Sequence, residues 1–427
     1  MEQRGVVGAE IVISEPLEFR RAQPQHLAFV AGFFFSFRLC IVLIVVRVMG
    51  AQPSTGSAMS IGLDLLLFGL VCFNTLGASQ RTLAAMLRMP AIRWVLVFLV
   101  FSGLSLAWSE TASLPDSIAY WAGLWLDVAS LVLLLRGDTG SDGAHAVLRG
   151  FIWSTCLLAM IAWIMPASPD LRLGDEQFFN TNEIGNLCVF AIFFAQYLAR
   201  RQGGQWGFAK FFLVITLIRS LSKATLAAFV VSELFLVILD RSMSRKTRIL
   251  LMGSALLLIL VFWGLFEAYY EVYTTAGNQA ETFTGRTAIW LYAASATFDH
   301  AWTPWIGHGF DSWWKVVPPF GNEMFEARHA ENEVLQQFYA YGAIGVLMLA
   351  GIYGSLARQL RRLATPAIKI PFLCLIIFVL VRGLAEAGAF DLLLPLWSIV
   401  LISSLAADER VAGERFPVGL SIGKQVL

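Results

Sequence analysis

The sequence predicts an all-α protein: a polytopic helical membrane protein with about 12 transmembrane helices and one long external loop. Hydrophobic residues make up 57% of its 427 residues and charged residues only 14%, whereas a soluble domain has about 25% charged residues. Apolar runs of a length that crosses a bilayer recur along the whole chain. The formal net charge of +1 offers no basic surface for nucleic acid, so the expected partner is the lipid bilayer.

Short polar segments separate the candidate spans. These are approximately 27–46, 60–77, 91–108, 118–135, 147–165, 183–198, 207–221, 223–239, 249–266, 334–356, 368–386 and 392–407. Only Ser220-Leu221-Ser222-Lys223 separates the seventh span from the eighth. A single helix over 207–239 is the alternative there, but it would be longer than one crossing requires.

Lys and Arg are unevenly distributed between alternate connecting segments. The outer segments contain only Arg47, Arg172, Arg219, Lys223, Arg286, Lys315 and Arg328, and most of the 31 basic residues lie in the inner segments. Because cytoplasmic loops accumulate Lys and Arg, we predict cytoplasmic tails at 1–26 and 408–427. The transmembrane domain then covers 27–407 and includes the long outer loop at about 267–333.

The outer loop is rich in tryptophan, a residue that favours membrane interfaces. Its tryptophans are Trp290, Trp302, Trp305, Trp313 and Trp314, and we expect the loop to fold down on the bilayer. The spacing of apolar residues predicts a helix over 286–298 that turns one face inward. That face contains Ile289, Trp290, Ala293 and Ala296.

The sequence contains no pattern typical of a metal or nucleotide site. The five cysteines lie inside apolar runs and have no metal-ligand spacing, and neither an HExxH motif nor a P-loop occurs. We therefore predict no metal, no cofactor and no structural disulfide.

Group transfer on the outer side would need a donor that is activated within the membrane, since ATP and nucleotide sugars are absent there. Lipid diphosphates are such donors, and their leaving group requires cations. Arginine suits this task because its planar guanidinium binds phosphate through two parallel bonds. The candidates near the outer surface are Arg219, Lys223, Arg286 and Arg328. An interfacial anchor is the alternative role for each of them.

A second set of polar residues opens the tenth predicted span. At helical spacing His329, Asn332, Glu333 and Gln336 would lie on one face, and polar groups within a span tend to be functional. A histidine whose pKa is near 6.5 can accept a proton at neutral pH. A purely structural His329 is the alternative. In the eleventh span Arg382 and Glu386 are four residues apart, so we expect them to pair or to face a cavity.

Four short stretches of the sequence together resemble a known family. They are Phe179-Asn180-Thr181-Asn182-Glu183-Ile184-Gly185; Leu221-Ser222-Lys223-Ala224; Gly285-Arg286 with Trp290, followed by Pro304-Trp305-Ile306-Gly307-His308-Gly309-Phe310; and His329 with Asn332, Leu335, Gln336, Gly342 and Gly345. In this order they resemble the signatures of the O-antigen ligase and polymerase family, bacterial membrane glycosyltransferases that use polyprenyl-diphosphate-linked glycans. One departure is Lys223, which stands where the family usually has arginine.

The resemblance implies an inverting, metal-independent glycosyl transfer at the periplasmic face of the bacterial inner membrane. His329 would assist the acceptor hydroxyl, and Arg286 would hold the diphosphate. We expect further substrate contacts from Arg219, Lys223, Arg328, Asn332, Glu333, Gln336 and Arg382. The donor would be an undecaprenyl-diphosphate-linked glycan, and the acceptor a polysaccharide chain or the lipid A core. A secondary transporter and a membrane acyltransferase remain as alternative classes.

Overall fold

The computed structural model describes residues 24–75, 83–136, 141–165, 171–174, 179–204, 206–240, 244–246, 248–249, 283–320, 326–388 and 392–415, together with isolated positions between 253 and 267. In this part of the chain the regular secondary structure is helical and contains no extended strand. The predicted all-α class is therefore confirmed.

The helices follow one another with short connections. They are α1 (Pro24–Leu43, continued by a π-helical turn at Ile44–Val48), α2 (Pro53–Thr75), α3 (Leu83–Leu87), α4 (Pro90–Ser105), α5 (Leu114–Arg136), α6 (Asp142–Ile164), α7 (Thr181–Gln202), α8 (Gly207–Ser220), α9 (Lys223–Leu239), α10 (Phe283–Ala296), α11 (Thr303–Ile306), α12 (Glu333–Arg361), α13 (Pro366–Arg382) and α14 (Leu396–Arg415).

Every predicted span coincides with one of these helices except 249–266, which lies outside the described residues apart from isolated positions. Among the described residues, five helical segments are long and apolar enough to cross a membrane: Gln25–Val48, Thr55–Thr75, Leu114–Arg136, Asp142–Ile164 and Glu333–Arg361. The chain is thus a multi-pass membrane protein, and the count of twelve crossings stays a prediction. Helix α14 continues to Arg415, beyond the predicted end of the transmembrane domain at 407.

Small residues bring α1 and α6 close together. A Cβ atom at Gly32 would lie 1.9 Å from the carbonyl oxygen of Val147, and one at Gly150 would lie 2.0 Å from that of Phe29. One turn further along both helices, the hydroxyl groups of Ser36 and Ser154 are 2.9 Å apart. Within lipid, such close backbone contact and interhelical hydrogen bonds hold helices together. Both helices thus carry a glycine and a serine four residues apart.

The chain breaks between α8 and α9 at Leu221. This residue adopts a left-handed backbone conformation with φ of +57°, which ends α8. Helix α8 packs mainly against α7, whereas α9 packs mainly against α13. The segment 207–239 therefore forms two separate helices, and the alternative of one long helix is excluded.

Two glycines join the loop between α10 and α12 to α12. Helix α12 is kinked at Gly342, where φ is +61°, and a Cβ atom there would lie 2.3 Å from the backbone of Trp305. Gly307, with φ of +68°, approaches the backbone of Ala340 equally closely. The amide of His308 donates to the carbonyl of Tyr339 at 3.0 Å. The quoted loop stretch that contains Gly307 thus meets the quoted stretch that contains Gly342 at the kink of α12.

The loop packs on the helices as well as presenting tryptophans at the surface. Ile289, Ala293 and Ala296 on α10 are buried, as predicted for the inward face of this helix. Trp313 is also buried, and its indole N–H donates to the carbonyl of Ala327 at 3.0 Å. Trp305 remains exposed. Part of the tryptophan set therefore belongs to a loop core rather than to the interface.

Ion pairs join helix ends that the charge pattern places on the same side. Arg200 at the end of α7 pairs with Asp240 after α9 at 2.8 Å. Arg201 pairs with Glu409 of α14 at 2.9 Å. At the opposite end of these helices, the loop contacts the start of α5, where the hydroxyl of Ser117 donates to Asp311 at 2.7 Å. The described contacts are consistent with the predicted alternation of helix directions.

Candidate functional site

Five charged side chains meet where α7, α9 and α12 begin and α13 ends. We call this group the His329 cluster; its members are His329, Glu331, Glu386, Arg286 and Arg382. Each member makes at least one charged contact of 4.0 Å or less with another member. All are at most partly exposed, and the side chains of Glu386 and Arg382 are each only 4% exposed.

His329 lies in the loop before α12, not on the helix. The helix begins at Glu333, and Asn332 is its N-cap, since the side chain of Asn332 accepts the amide hydrogen of Leu335 at 3.1 Å. Glu331 adopts a left-handed conformation with φ of +52°, which turns the chain just before the cap. The prediction that His329, Asn332 and Glu333 share one helical face is therefore wrong, although the residues remain close.

Two carboxylates flank the His329 imidazole. Its Nε2 lies 3.2 Å from Oε1 of Glu386, and its Nδ1 lies 3.5 Å from Oε1 of Glu331. Burial acts to lower the pKa of His329, but Glu331 and Glu386 outweigh burial and raise the pKa to about 9. The two carboxylates thus favour the protonated ring, while in the geometry of the site the backbone amide of Glu331 donates to Nδ1 at 3.3 Å. The pKa near 6.5 that the sequence analysis assumed is corrected accordingly.

Arg286 lies in the first turn of α10 and contacts the carboxylate of Glu331. Its Nη2 lies 3.4 Å from Oε2 of Glu331. Its Nε is buried and has no hydrogen-bond partner among the described residues. A guanidinium can donate two parallel hydrogen bonds to one anion. Only part of this capacity is used here, so the group is able to receive a further anionic oxygen.

Arg382 ties three helices together beneath His329. Its Nε donates to the hydroxyl of Thr225 on α9 at 3.1 Å, and its Nη2 approaches the carbonyl of Asn182 on α7 at 3.5 Å. Its Nη2 is also 4.0 Å from Glu386, so the expected pairing within the eleventh span is confirmed. The hydroxyl of Ser222 donates to the Asn182 side chain at 2.7 Å. Arg382 thus contacts the stretch that contains Asn182 directly, and Ser222 of the break between α8 and α9 bonds to the same asparagine.

The sequence analysis missed Glu331 and Glu386 as site residues. Glu386 was recognised only as the partner of Arg382, and its contact with His329 depends on how α13 packs beside the loop. Glu331 lies between His329 and Asn332 in the quoted stretch, at a position where the family signature does not specify a residue type. Asn182, Ser222 and Thr225 were also missed, although Asn182 and Ser222 lie in quoted stretches.

Three of the predicted substrate-binding residues hold the loop in place. The side chain of Asn332 donates to the carbonyl of Leu384 at 3.1 Å. The carboxylate of Glu333 accepts the amide hydrogen of Gly388 at 3.1 Å. The side-chain oxygen of Gln336 accepts the amide hydrogen of Ala330 at 2.8 Å. These bonds link the loop before α12 to the segment after α13, which positions His329 against Glu386.

The remaining predicted cations have other described contacts. The guanidinium of Arg219 donates to the carbonyl of Leu171. That of Arg328 lies over the ring of Trp314, 5.4 Å from its centroid. Lys223 is the first residue of α9 and is exposed. Arg328 is adjacent to His329 in the chain, and Lys223 follows Ser222, whose hydroxyl donates to the Asn182 side chain.

His329, Glu331 and Glu386 also offer three ligand atoms within 4.8 Å of one another. The sequence spacing did not reveal this arrangement. A divalent cation would require a neutral imidazole, and it would compete with Arg286 and Arg382 for the carboxylates.

An apolar groove of about 310 Å³ adjoins the cluster between α12 and α13. It begins at Glu333 and Gly383 and is lined along α12 by Leu349 and Tyr353. The lining residues Leu380 and Leu384 on the α13 side are largely exposed. Within a bilayer such a groove would be open to lipid chains.

The helices and the cluster together define a multi-pass membrane protein with a cationic and acidic centre at one set of helix ends. Residues 208–350 match the family model described as O-antigen ligase. This match confirms the resemblance to the O-antigen ligase and polymerase family and supports a function of that general type. The matched segment contains α8 to α11, Arg286, His329 and Glu331. No curated protein matches the chain.

Proposed function

We propose that this protein transfers a glycan from an undecaprenyl-diphosphate donor to an acceptor hydroxyl at the periplasmic face of the inner membrane. The observation that supports this best is the shared contact of Arg286 and His329 with Glu331. It brings a phosphate-binding guanidinium and a proton-transfer group to opposite sides of one carboxylate. The two roles that the transfer requires are therefore within reach of one substrate.

In the proposed reaction the acceptor oxygen attacks the anomeric carbon from the face opposite the diphosphate. The bond between this carbon and the diphosphate oxygen breaks, and its electron pair leaves with the lipid diphosphate. His329, in its neutral form, takes the hydroxyl proton. Arg286 stabilises the negative charge on the departing diphosphate, which needs no metal. The configuration of the transferred sugar is inverted.

The apolar groove supports a lipid-linked donor. It runs from the cluster along α12 and α13, and Leu380 and Leu384 at its rim face outward. An isoprenoid tail in this groove would bring its diphosphate towards Glu333 and the His329 cluster. The donor would then enter sideways from the bilayer.

The uneven distribution of Lys and Arg supports placing the cluster on the periplasmic side. The cluster lies at the helix ends whose connecting segments contain few basic residues. The acceptor is either a second lipid-linked chain, as in a polymerase, or the lipid A core, as in a ligase. We favour a polymerase of exopolysaccharide or O-antigen.

A transfer assay with purified protein tests the proposal. Lipid-diphosphate donor is supplied alone, with lipid A core, or with excess chelator, and products are separated by gel electrophoresis. We expect longer chains from donor alone, at an unchanged rate with chelator. A product only with lipid A core would show a ligase instead. Loss of activity on chelation would contradict a metal-independent mechanism, and no transfer in any reaction would overturn the proposal.

A further inference from the structure

Glu331 bridges the two groups to which the proposed function assigns the chemistry. Its Oε2 lies 3.4 Å from Nη2 of Arg286, and its Oε1 lies 3.5 Å from Nδ1 of His329. One carboxylate therefore stands between a guanidinium and the imidazole ring, whose Nδ1 also accepts the backbone amide hydrogen of Glu331 at 3.3 Å. The guanidinium is the cationic donor that faces this small anion, so the position of the carboxylate marks an anion-binding subsite.

The guanidinium side of this subsite is incompletely satisfied. The Nη2 contact with Glu331 is longer than a normal charge-assisted hydrogen bond, which is about 2.7–2.9 Å. The Nε of Arg286 is buried and has no hydrogen-bond partner in the described part of the chain. A phosphate group presents several oxygens and can accept from both nitrogens at once. The subsite thus fits a phosphate better than it fits the carboxylate it contains.

The backbone of Glu331 has a conformation that residues other than glycine seldom adopt. Its φ is +52°, and it lies between His329 and the helix cap Asn332. Such strained residues persist where surrounding contacts hold them, and they concentrate at functional sites and switches.

We propose that Glu331 is an internal placeholder for the donor diphosphate. In the substrate-free protein its carboxylate occupies the anion subsite of Arg286, beside the ring of His329, and the incoming diphosphate displaces it. This inference rests on the proposed function and adds a residue to it that competes with the donor.

A binding measurement on the purified full-length protein tests the placeholder, with inorganic pyrophosphate as the probe and calorimetry as the readout. Glu331→Gln removes the competing charge and should bind pyrophosphate about tenfold more tightly. Glu331→Asp keeps the charge but shortens the side chain, so it should also bind more tightly than the wild type. Asp tolerates the left-handed conformation comparatively well, which favours correct folding of this variant.

Glu386→Gln is the matched control. It removes the same charge from the same cluster, but Glu386 contacts His329 and Arg382 rather than Arg286. If net charge alone governed binding, Glu386→Gln and Glu331→Gln would bind pyrophosphate with the same affinity. The affinity of Glu331→Asp would then equal that of the wild type. This pair of results overturns the placeholder. A second outcome is that Arg286→Ala abolishes pyrophosphate binding while the Glu331 variants bind it as the wild type does. That outcome overturns the placeholder but retains the anion site. No binding by the wild type or by either Glu331 variant overturns both.

Discussion

At the scale of the single residue, the charge state of His329 decides how its proposed role as a base can be observed. Glu331 and Glu386 contact the ring directly, while Arg286, Arg382 and Glu183 lie around it on other elements. These neighbours place its pKa at about 9. Because this pKa is raised above 6.5, the protonated ring stabilises the folded site below pH 6.5, and that contribution disappears as the pH passes 9.

The first prediction concerns the pH dependence of transfer. A base must be neutral to accept a proton, and kcat/KM reports the free enzyme. We therefore expect kcat/KM to rise with pH to a midpoint near 9 rather than near 6.5. His329→Gln should remove this midpoint and lower turnover by at least about a hundredfold. Near wild-type turnover in the glutamine variant would show that His329 only braces the loop.

The second prediction concerns Arg286. Arg286→Ala should abolish product formation while the amount of protein in the membrane stays normal, because the guanidinium is partly exposed and makes one long ion pair. Arg286→Lys should recover little activity, since an ammonium group cannot donate two parallel bonds to a phosphate. Arg93→Lys, at an exposed position on α4, is the matched control. Full activity in Arg286→Lys would reduce the residue to a general cation.

At the scale of the element, the kink of α12 positions the loop that carries the site. Gly342 and Gly307 both have a positive φ, and a Cβ atom at either position would collide with backbone atoms. Rotation of a side chain could not remove this collision. The helix and the loop therefore depend on each other at this point. His329 and Glu331 lie between them in the chain, so a shift of the kink would alter the cluster.

The third prediction compares two glycines of α12. Gly342→Ala should destabilise the protein by more than about 1–2 kcal/mol, the cost of the left-handed conformation, because its Cβ would also meet Trp305 at 2.3 Å. Gly354→Ala should instead stabilise it by about 0.5–1 kcal/mol, since nothing lies within 4 Å there. Thermal unfolding in detergent would measure both. Equal effects of the two substitutions would contradict the close contact.

At the scale of the whole molecule, the direction of the helices determines which side the cluster faces. The ion pairs at Arg200 and Arg201 lie at the ends opposite the cluster. The basic segment 241–248 follows α9 at that same opposite end. The positive-inside tendency therefore predicts that the cluster lies on the outer side.

The fourth prediction concerns this orientation. Reporter fusions after Arg248 and after Arg362 should read cytoplasmic, and a fusion at Asn322 should read periplasmic. Alkaline phosphatase and a cytoplasmic reporter at the same positions give complementary signals. A cytoplasmic result at Asn322 would place the loop on the side away from a periplasmic glycan and would contradict the proposed reaction.

The sequence by itself determined the features that depend on local composition and spacing. Apolar runs predicted the helices, because a bilayer requires about 20 such residues per crossing. The short polar break at Leu221 and the inward face of α10 also followed from local pattern. Arg286 and His329 were identified because the signature residues around them lie close in the chain.

Only the tertiary structure decided how these residues act on one another. Arg382 meets Thr225 across 157 residues of chain, and Glu386 reaches His329 because α13 ends beside the loop before α12. Neither contact has a local signal, since the pairing of distant side chains depends on helix packing. The charge of His329 follows from these contacts, because a pKa reflects burial and neighbouring charges rather than residue type alone.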